Sequence, residues 1–286
     1  MSSQQAFRRR LTPTPQLSID TMAKLETVFV SNNWKIEVKN RMSLYNRFCE
    51  TLVKFDEGEQ QLILDLTKRF KWIKVEEYQH AFEKLAYQIL CEYPNADIVL
   101  APCLPESDLG KMKSARMVLY TMQATSYTYD LNRCWIEKDN IAEKSKYIKD
   151  NTIVVLADDF VGTGETALGA VDYVHKVLGD KISNDRIKVL AIAVQQVGKQ
   201  TLNDIGIQVY SEYIFDKGIT DYYHADALVD VIAKMESIES KIGVKKRFHF
   251  GYGHSEALVC MARCPNNTFP VYWYGKNTAP YERQRR

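Results

Sequence analysis

Apolar residues in the first third of the chain recur every three or four positions. Leu62, Leu66, Phe70 and Ile73 follow this spacing, as do Tyr78, Phe82, Leu85 and Ile89, so each set lines one face of a helix. Pro94 and Asn95 punctuate the end of this block, which predicts an N-terminal helical subdomain over residues 19–94. Beyond it the period changes. "ADIVLAPC" (96–103), "TIVVLA" (152–157) and "RIKVLAIAV" (186–194) are short apolar runs without polar alternation, the pattern of strands buried on both faces. Between them "SARMVLYTMQ" (114–123) reads as a helix, and Ala167, Val171, Val174 and Leu178 share a second helical face. A strand "IQVYSEYIF" (207–215), a helix near 226–241, a helix over 255–263 and a strand "FPVYWY" (269–274) complete the predicted series. Alternation of this kind predicts an α/β domain over 95–276, with a parallel sheet and a site at the carboxyl ends of its strands. A tail over 1–18, where Pro13 and Pro15 block a helix, and a basic tail over 277–286 flank the two blocks.

The strand 152–157 runs directly into "DDFVGTGET". Two adjacent carboxylates at the mouth of a glycine-rich turn pose a physical problem, because such turns attract anions and carboxylates repel them. A nucleoside-triphosphate loop needs glycine five residues before its second glycine and lysine just after it. Asp159 and Glu165 hold those positions, so that reading fails. Gly162, Gly164 and Ala167 satisfy the spacing of a dinucleotide fingerprint, yet that motif leaves Asp158 and Asp159 without a role. A ligand carrying both a diol and a phosphate uses every residue. The two carboxylates accept from ribose hydroxyls, directly or through a metal. Backbone N–H groups of Gly162, Thr163, Gly164, Glu165 and Thr166, the two threonine hydroxyls and the start of the following helix then hold the 5-phosphate.

This arrangement resembles the 5-phosphoribosyl 1-pyrophosphate (PRPP) motif of type I phosphoribosyltransferases. There, aliphatic residues are followed by an acidic pair and a loop of small residues and threonines. Asp158 and Asp159 match the acidic pair, and Thr163, Gly164 and Thr166 match the loop. Gly162 departs from the usual hydroxyl residue and Glu165 from the usual glycine. The resemblance implies a Rossmann-like parallel core, Mg2+ carried with PRPP or a nucleotide, and a pyrophosphate loop after the first core strand. Lys111, Lys113 and Ser114 occupy that place; solvated surface lysines are the alternative reading. A closer similarity is to a divergent bacterial branch, the phosphoribosyltransferase-like proteins of conflict systems, some encoded beside retron reverse transcriptases. It rests on "DDFVGTGET", on "QQLILDLTKRFKWI" (60–73) and on "FGYGHSEALVCMARCPNNTFPVYWY" (250–274). It implies an antiviral effector, and a reverse transcriptase with its RNA or DNA as partner.

Three further groups of residues are candidates. Gln195 and Gln196 end the strand 186–194 and are expected beside the acid pair, facing a base or a second ribose, or simply solvent. Tyr252 and His254 are candidates for a base-stacking wall, with core packing as the alternative. Ser255 or His254 is expected to cap the helix predicted over 255–263.

Composition narrows the field only modestly. The 286 residues are 45% hydrophobic and 26% charged, with net charge +2, which gives no global case for nucleic acid or membrane as partner. Six cysteines without framework spacing are expected to be free thiols in a reducing cytoplasm. His249, His254, Cys260 and Cys264 lack the paired spacing of a zinc site, so zinc is not expected. Homo-oligomerisation is left open.

Overall fold

The computed structural model describes residues 17–40, 43–125, 134–136 and 141–275; the expected tails lie almost wholly outside them. Helices α1 (Ile19–Ser31), α2 (Leu44–Leu52) and α3 (Glu57–Lys68) come first, followed by the short strand β1 (Lys71–Trp72) and helix α4 (Val75–Glu92). Strand β2 (Asp97–Pro102), helix α5 (Ser114–Thr125), strand β3 (Cys134–Ile136), strand β4 (Thr152–Val161) and helix α6 (Glu165–Leu178) follow. Strand β5 (Ile187–Gln195), helix α7 (Gln196–Asn203), strand β6 (Gln208–Phe215), helix α8 (Ala225–Lys241) and the short strand β7 (Val259–Cys260) complete the order. Helix starts follow their local chemistry. Ser18, Ser43 and Asp56 accept from backbone N–H groups three residues on, and Glu59 returns a bond to Asp56 N in a full capping box.

Five strands form one parallel sheet in the order β3-β2-β4-β5-β6. The chain turns one way from β2 to β3 and the other way from β4 onward. The switch point, where a ligand crevice opens above a doubly wound sheet, therefore lies between the carboxyl ends of β2 and β4. On one face Tyr78, Phe82 and Leu85 of α4 and Val118 and Met122 of α5 cover Ile98, Leu100, Ile153 and Val155. On the other, Ala167, Val171 and Val174 of α6 cover Val99, Val154, Leu156 and Val189. A third core joins α1–α3 to α8 and to the C-terminal residues Phe269, Val271, Tyr272 and Trp273. The helical block thus gives α1–α3 to this third core and α4 to the sheet. No helix among the described residues is long and apolar enough to cross a membrane.

Two predicted elements are corrected. Residues 255–263 are not a helix. His254 and Glu256 have φ of 52°, and Phe250 54°, values a right-handed helix does not admit. The run "ALVCMA" supplies β7 instead, which pairs in parallel with β1, Lys71 opposite Val259 and Trp72 opposite Cys260. It has no helical face because Ala257, Leu258, Val259, Cys260 and Met261 are all buried. Ser255 consequently caps no helix. Residues 269–274 are not a strand, since Pro270 opens a 3-10 turn over Pro270–Tyr272 that Trp273 N closes onto Pro270 O at 3.0 Å. The reading also missed helix α7, and the helical pattern drawn through Ile73 stops earlier, at Lys68.

Phe29 is fully buried, with edge-on contacts to Trp34, Tyr45 and Phe48 at 5.3–5.5 Å between ring centroids. Phe29→Ala is expected to lower the free energy of unfolding by about 3–5 kcal/mol. Urea denaturation would show a lower midpoint at unchanged slope.

Candidate functional site

Strand β4 carries Asp158 and Asp159 into the switch-point crevice, and both side chains are buried. Before the pair, Ile153, Val155 and Ala157 pack on the α4/α5 side, and Val154 and Leu156 on the α6 side. After it Phe160 joins the first group and Val161 the second, so the alternation slips by one residue across the carboxylates. Asp158 Oδ1 accepts from Ser114 Oγ at 2.8 Å and from Asp159 N at 2.8 Å. Asp159 Oδ2 accepts from the Tyr78 hydroxyl at 3.2 Å, and that oxygen in turn accepts from Ala262 N at 2.8 Å. Burial pushes both carboxyls above the ordinary aspartate range, and the charge of Asp159 adds to the rise at Asp158. The bonds from Ser114 and Tyr78 oppose it.

Past β4 the chain makes a tight turn into α6. Gly164 takes φ of 88° at the N-cap, a conformation glycine adopts without a Cβ penalty. Gly198 of α7 presses on the same turn: a Cβ there would stand 2.1 Å from Gly162 O. Thr163 is half-buried, and Glu165 and Thr166 are exposed in the first turn of α6. The expected phosphate loop is therefore held at the start of a helix, three to seven residues beyond Asp159.

The C-terminal segment closes over this loop. Gly253 lies against Thr163, where an added Cβ would meet Thr163 Cγ2 at 2.7 Å. The Asn267 amide covers Gly162 and donates to Tyr252 O at 3.3 Å. The Tyr252 hydroxyl donates to Glu165 Oε2 at 2.8 Å, and this bond raises the phenol above its usual range. Five residues between 250 and 256 have positive φ, of which Phe250, His254 and Glu256 are not glycine. Buried groups hold them there. Glu239 Oε1 accepts from Phe250 N at 2.8 Å, and Glu256 Oε2 accepts from Ile219 N at 2.9 Å and Thr220 N at 2.8 Å. The Ser255 hydroxyl sits 2.7 Å from Tyr252 O and 2.9 Å from Asn267 O.

The other sequence candidates fall around this centre. Ser114, exposed at the start of α5, reaches Asp158. Lys111 and Lys113 both pair with Asp108, each at 2.8 Å. His254 stacks on Phe250 with centroids 6.0 Å apart and rings 14° from parallel. Gln195 is not beside the acid pair: Asp158 is in register with Ala191, and Val161 with Val194. It is buried, and its Nε2 donates to Ser255 O, holding the C-terminal segment. Gln196 is exposed in the first turn of α7. Sequence reasoning missed Tyr78, Asn267 and Gly198. Tyr78 reads as one more apolar-face residue of α4, and only its hydroxyl marks it as different. Among the described residues no group of three or more His, Cys, Asp or Glu side chains is placed to hold a metal.

A family model described as PRTase-CE matches residues 46–283. Over 114 residues the chain is 31% identical to the xanthine phosphoribosyltransferase of Listeria innocua serovar 6a, a stretch covering 39% of this chain and 55% of that protein. Over 77 residues it is 32% identical to the xanthine phosphoribosyltransferase of Streptococcus equi subsp. equi, covering 26% and 38%. The chain thus spans about half or less of the length of these curated relatives. Among solved structures, the APRTase from Giardia lamblia complexed with 9-deazaadenine aligns with 47% of this chain and 79% of its own, at 10% identity and TM-score 0.30. The orotate phosphoribosyltransferase from Aeropyrum pernix aligns with 56% and 73%, at 12% identity and TM-score 0.28.

Contact between the loop and the C-terminal segment has a direct test. Gly162→Ser places a side chain where the Asn267 amide sits and is expected to lower stability by about 1–3 kcal/mol. Combining it with Asn267→Ala should recover part of that loss, giving a coupling near 1 kcal/mol in a double-mutant cycle of urea midpoints.

Glu239 generates a pH prediction. Burial raises its carboxyl from 4.5 to about 7, with the Phe250 bond opposing the rise and Glu236 adding to it; the His249 ring lies 3.8 Å away. Folding therefore retains a proton between those values. That contribution is full below pH 4.5 and lost as pH rises through about 7. Glu239→Gln stays neutral and keeps an acceptor for Phe250 N. Across this window the wild type should lose up to about 3 kcal/mol relative to the variant, as read by urea unfolding at several pH values.

Proposed function

The chain belongs to the PRTase-CE family, and from that premise we propose that it binds the ribose 5-phosphate unit of PRPP or of a nucleotide between its acid pair and the loop over 162–166. The observation that supports this best is the continuous run from β4 through Asp158 and Asp159 into a glycine turn at the start of α6, opening at the switch point of the sheet. The carboxylates accept from the ribose hydroxyls. The loop and the positive end of α6 take the 5-phosphate. Lys111 and Lys113, once exchanged from Asp108, take the pyrophosphate or its equivalent. Entry requires the contacts of Tyr252, Gly253 and Asn267 with the loop to give way.

The donor set fits magnesium in one way. Two carboxylates, both engaged by hydrogen bonds, are too few for an all-protein cage but suit an ion carried in by ligand phosphates. Bound there, Mg2+ would neutralise pyrophosphate as a leaving group. The chain's own contribution is to place the anomeric carbon and to hold charge around it.

The setting we propose is an effector in the bacterial cytoplasm, acting in anti-phage defence with a reverse transcriptase and its nucleic acid as candidate partners. Support for it is the resemblance carried by "DDFVGTGET", the helical block and the C-terminal segment. The second reading is a salvage phosphoribosyltransferase for a nucleobase, which the 31% identity to a xanthine phosphoribosyltransferase favours.

Titration calorimetry with PRPP and Mg2+ tests the site. Wild type should bind, and Asp158→Asn/Asp159→Asn should lose at least tenfold in affinity, about 1.4 kcal/mol or more. Equal affinities would sink the assignment. Release of pyrophosphate on adding xanthine or guanine would favour the salvage reading over the effector.

A further inference from the structure

The three contacts between the C-terminal segment and the loop over 162–166 differ in kind. Gly253 on Thr163 and the Asn267 amide on Gly162 are close approaches. Tyr252 to Glu165 is the one hydrogen bond that crosses from segment to loop among the described residues. We propose that residues 250–256 with 265–268 form an autoinhibitory clasp, latched by this bond, in which the Glu165 carboxylate holds the end of α6 that a ligand phosphate would otherwise face. The inference rests on the proposed phosphoribosyl site and assigns its regulation.

The clasp holds together without the loop. Tyr252 N donates to Asn266 O at 2.8 Å, Ala257 N to Asn267 O at 3.1 Å and Thr268 N to Pro265 O at 3.2 Å. The Ser255 hydroxyl lies within 2.9 Å of both Tyr252 O and Asn267 O. Gly251 closes on the same partner, since a Cβ there would stand 1.9 Å from Asn267 O. The supports of the clasp come from elsewhere in the chain: Glu239 for Phe250 N, Glu256 for Ile219 N and Thr220 N, and Gln195 for Ser255 O. Parting clasp from loop therefore breaks one side-chain hydrogen bond and no backbone pair. Gly253 and His254 are exposed at its tip, so water reaches the latch.

The position of Glu165 makes the latch a guard of this site. Glu165 is the first residue of α6, directly after Gly164 at the N-cap, where unpaired N–H groups and the helix dipole favour an anion. Its carboxylate competes with a ligand phosphate for that electrostatic position. The bond to Glu165 raises the Tyr252 phenol above its usual range, with the charge of Arg247 opposing the rise, so the hydroxyl keeps its proton and goes on donating. A site that its own chain closes binds with an apparent affinity reduced by the open fraction. Any partner that draws Tyr252 from Glu165 raises that fraction.

Opening is read in the full chain carrying Thr163→Cys, by the rate of iodoacetamide labelling at residue 163 in peptide mass spectra. Gly253 covers this position, so labelling requires the clasp to part. Tyr252→Phe keeps the ring and removes the latch, and Glu165→Ala removes its acceptor. Each should raise the labelling rate roughly threefold to tenfold, the range of one intramolecular hydrogen bond. The double variant should go no further than the larger single effect, because both changes remove the same bond. Calorimetry with PRPP and Mg2+, in chains that keep Thr163, should show Tyr252→Phe binding tighter by the same factor. Glu165→Ala should bind tighter still, since it also loses a repelling charge. Unchanged labelling in the single variants, or multiplied rates in the double variant, overturns the latch. Faster labelling with unchanged PRPP affinity overturns the clasp and leaves the proposed site standing. Absence of PRPP binding in wild type and in both variants removes the proposed function, and the clasp's guarding role with it.

Discussion

Two neighbouring carboxylates buried at the end of a central strand impose the constraint to which the surrounding elements answer. Desolvating one charged aspartate is expensive, and placing a second beside it adds repulsion. The fold responds by aiming a donor from each available direction. Ser114 comes from the start of α5, a backbone amide from the strand itself, and Tyr78 from α4 with the C-terminal segment behind it. The shift in side-chain alternation at residues 158–159 is part of the same response, since it keeps both carboxylates near the crevice rather than on opposite faces of the sheet. A site built this way depends on elements well outside the strand–loop–helix unit that carries the motif.

The C-terminal segment answers a second constraint, the close approach of chain segments over the glycine loop at 162–166. Gly162, Gly198, Gly251 and Gly253 leave no room for a Cβ, and the positive φ of Phe250, His254 and Glu256 bends the chain to follow that surface. Such residues persist only where neighbours over-determine them. Here Glu239 and Glu256 do so, Glu239 with a buried carboxyl group against one backbone amide and Glu256 with one against two. Asp108 plays a similar part on the other side of the crevice by pairing with Lys111 and Lys113. Groups that suit a phosphorylated sugar are thus satisfied by the protein itself in this conformation, and the proposed ligand must exchange those contacts one for one.

The central strands β2, β4 and β5 were legible because they are buried on both faces and read as unbroken apolar runs, whereas the short edge strand β3 was not predicted. Helices α3, α4 and α6 were legible from their single apolar stripes. The acid pair and loop stood out for a different reason: no cheaper motif used all of their residues. Failures cluster in 250–274. There an apolar run such as "ALVCMA" is buried on every side, so it carries no period, and Gly251 and Gly253 act through contacts distant in sequence. Gln195 was misplaced because a strand's length past its neighbour's turn cannot be read from either sequence alone. Tyr78 was hidden by its own periodicity, since it satisfies the helical stripe as any aromatic residue would.

Glu165 is the residue that most opposes a phosphate-binding reading, and its surroundings account for it. It lies in the first turn of α6, where the aligned peptide dipoles favour a negative charge. Its side chain is exposed, so water screens it. The Tyr252 hydroxyl donates to Oε2 from the C-terminal segment at 2.8 Å, which satisfies part of the charge. A glycine at this position would offer the loop more freedom but would give Tyr252 no acceptor. Glutamate at this position therefore anchors the C-terminal segment to the start of α6. Within this chain, Glu165 and the C-terminal segment are joined through that bond.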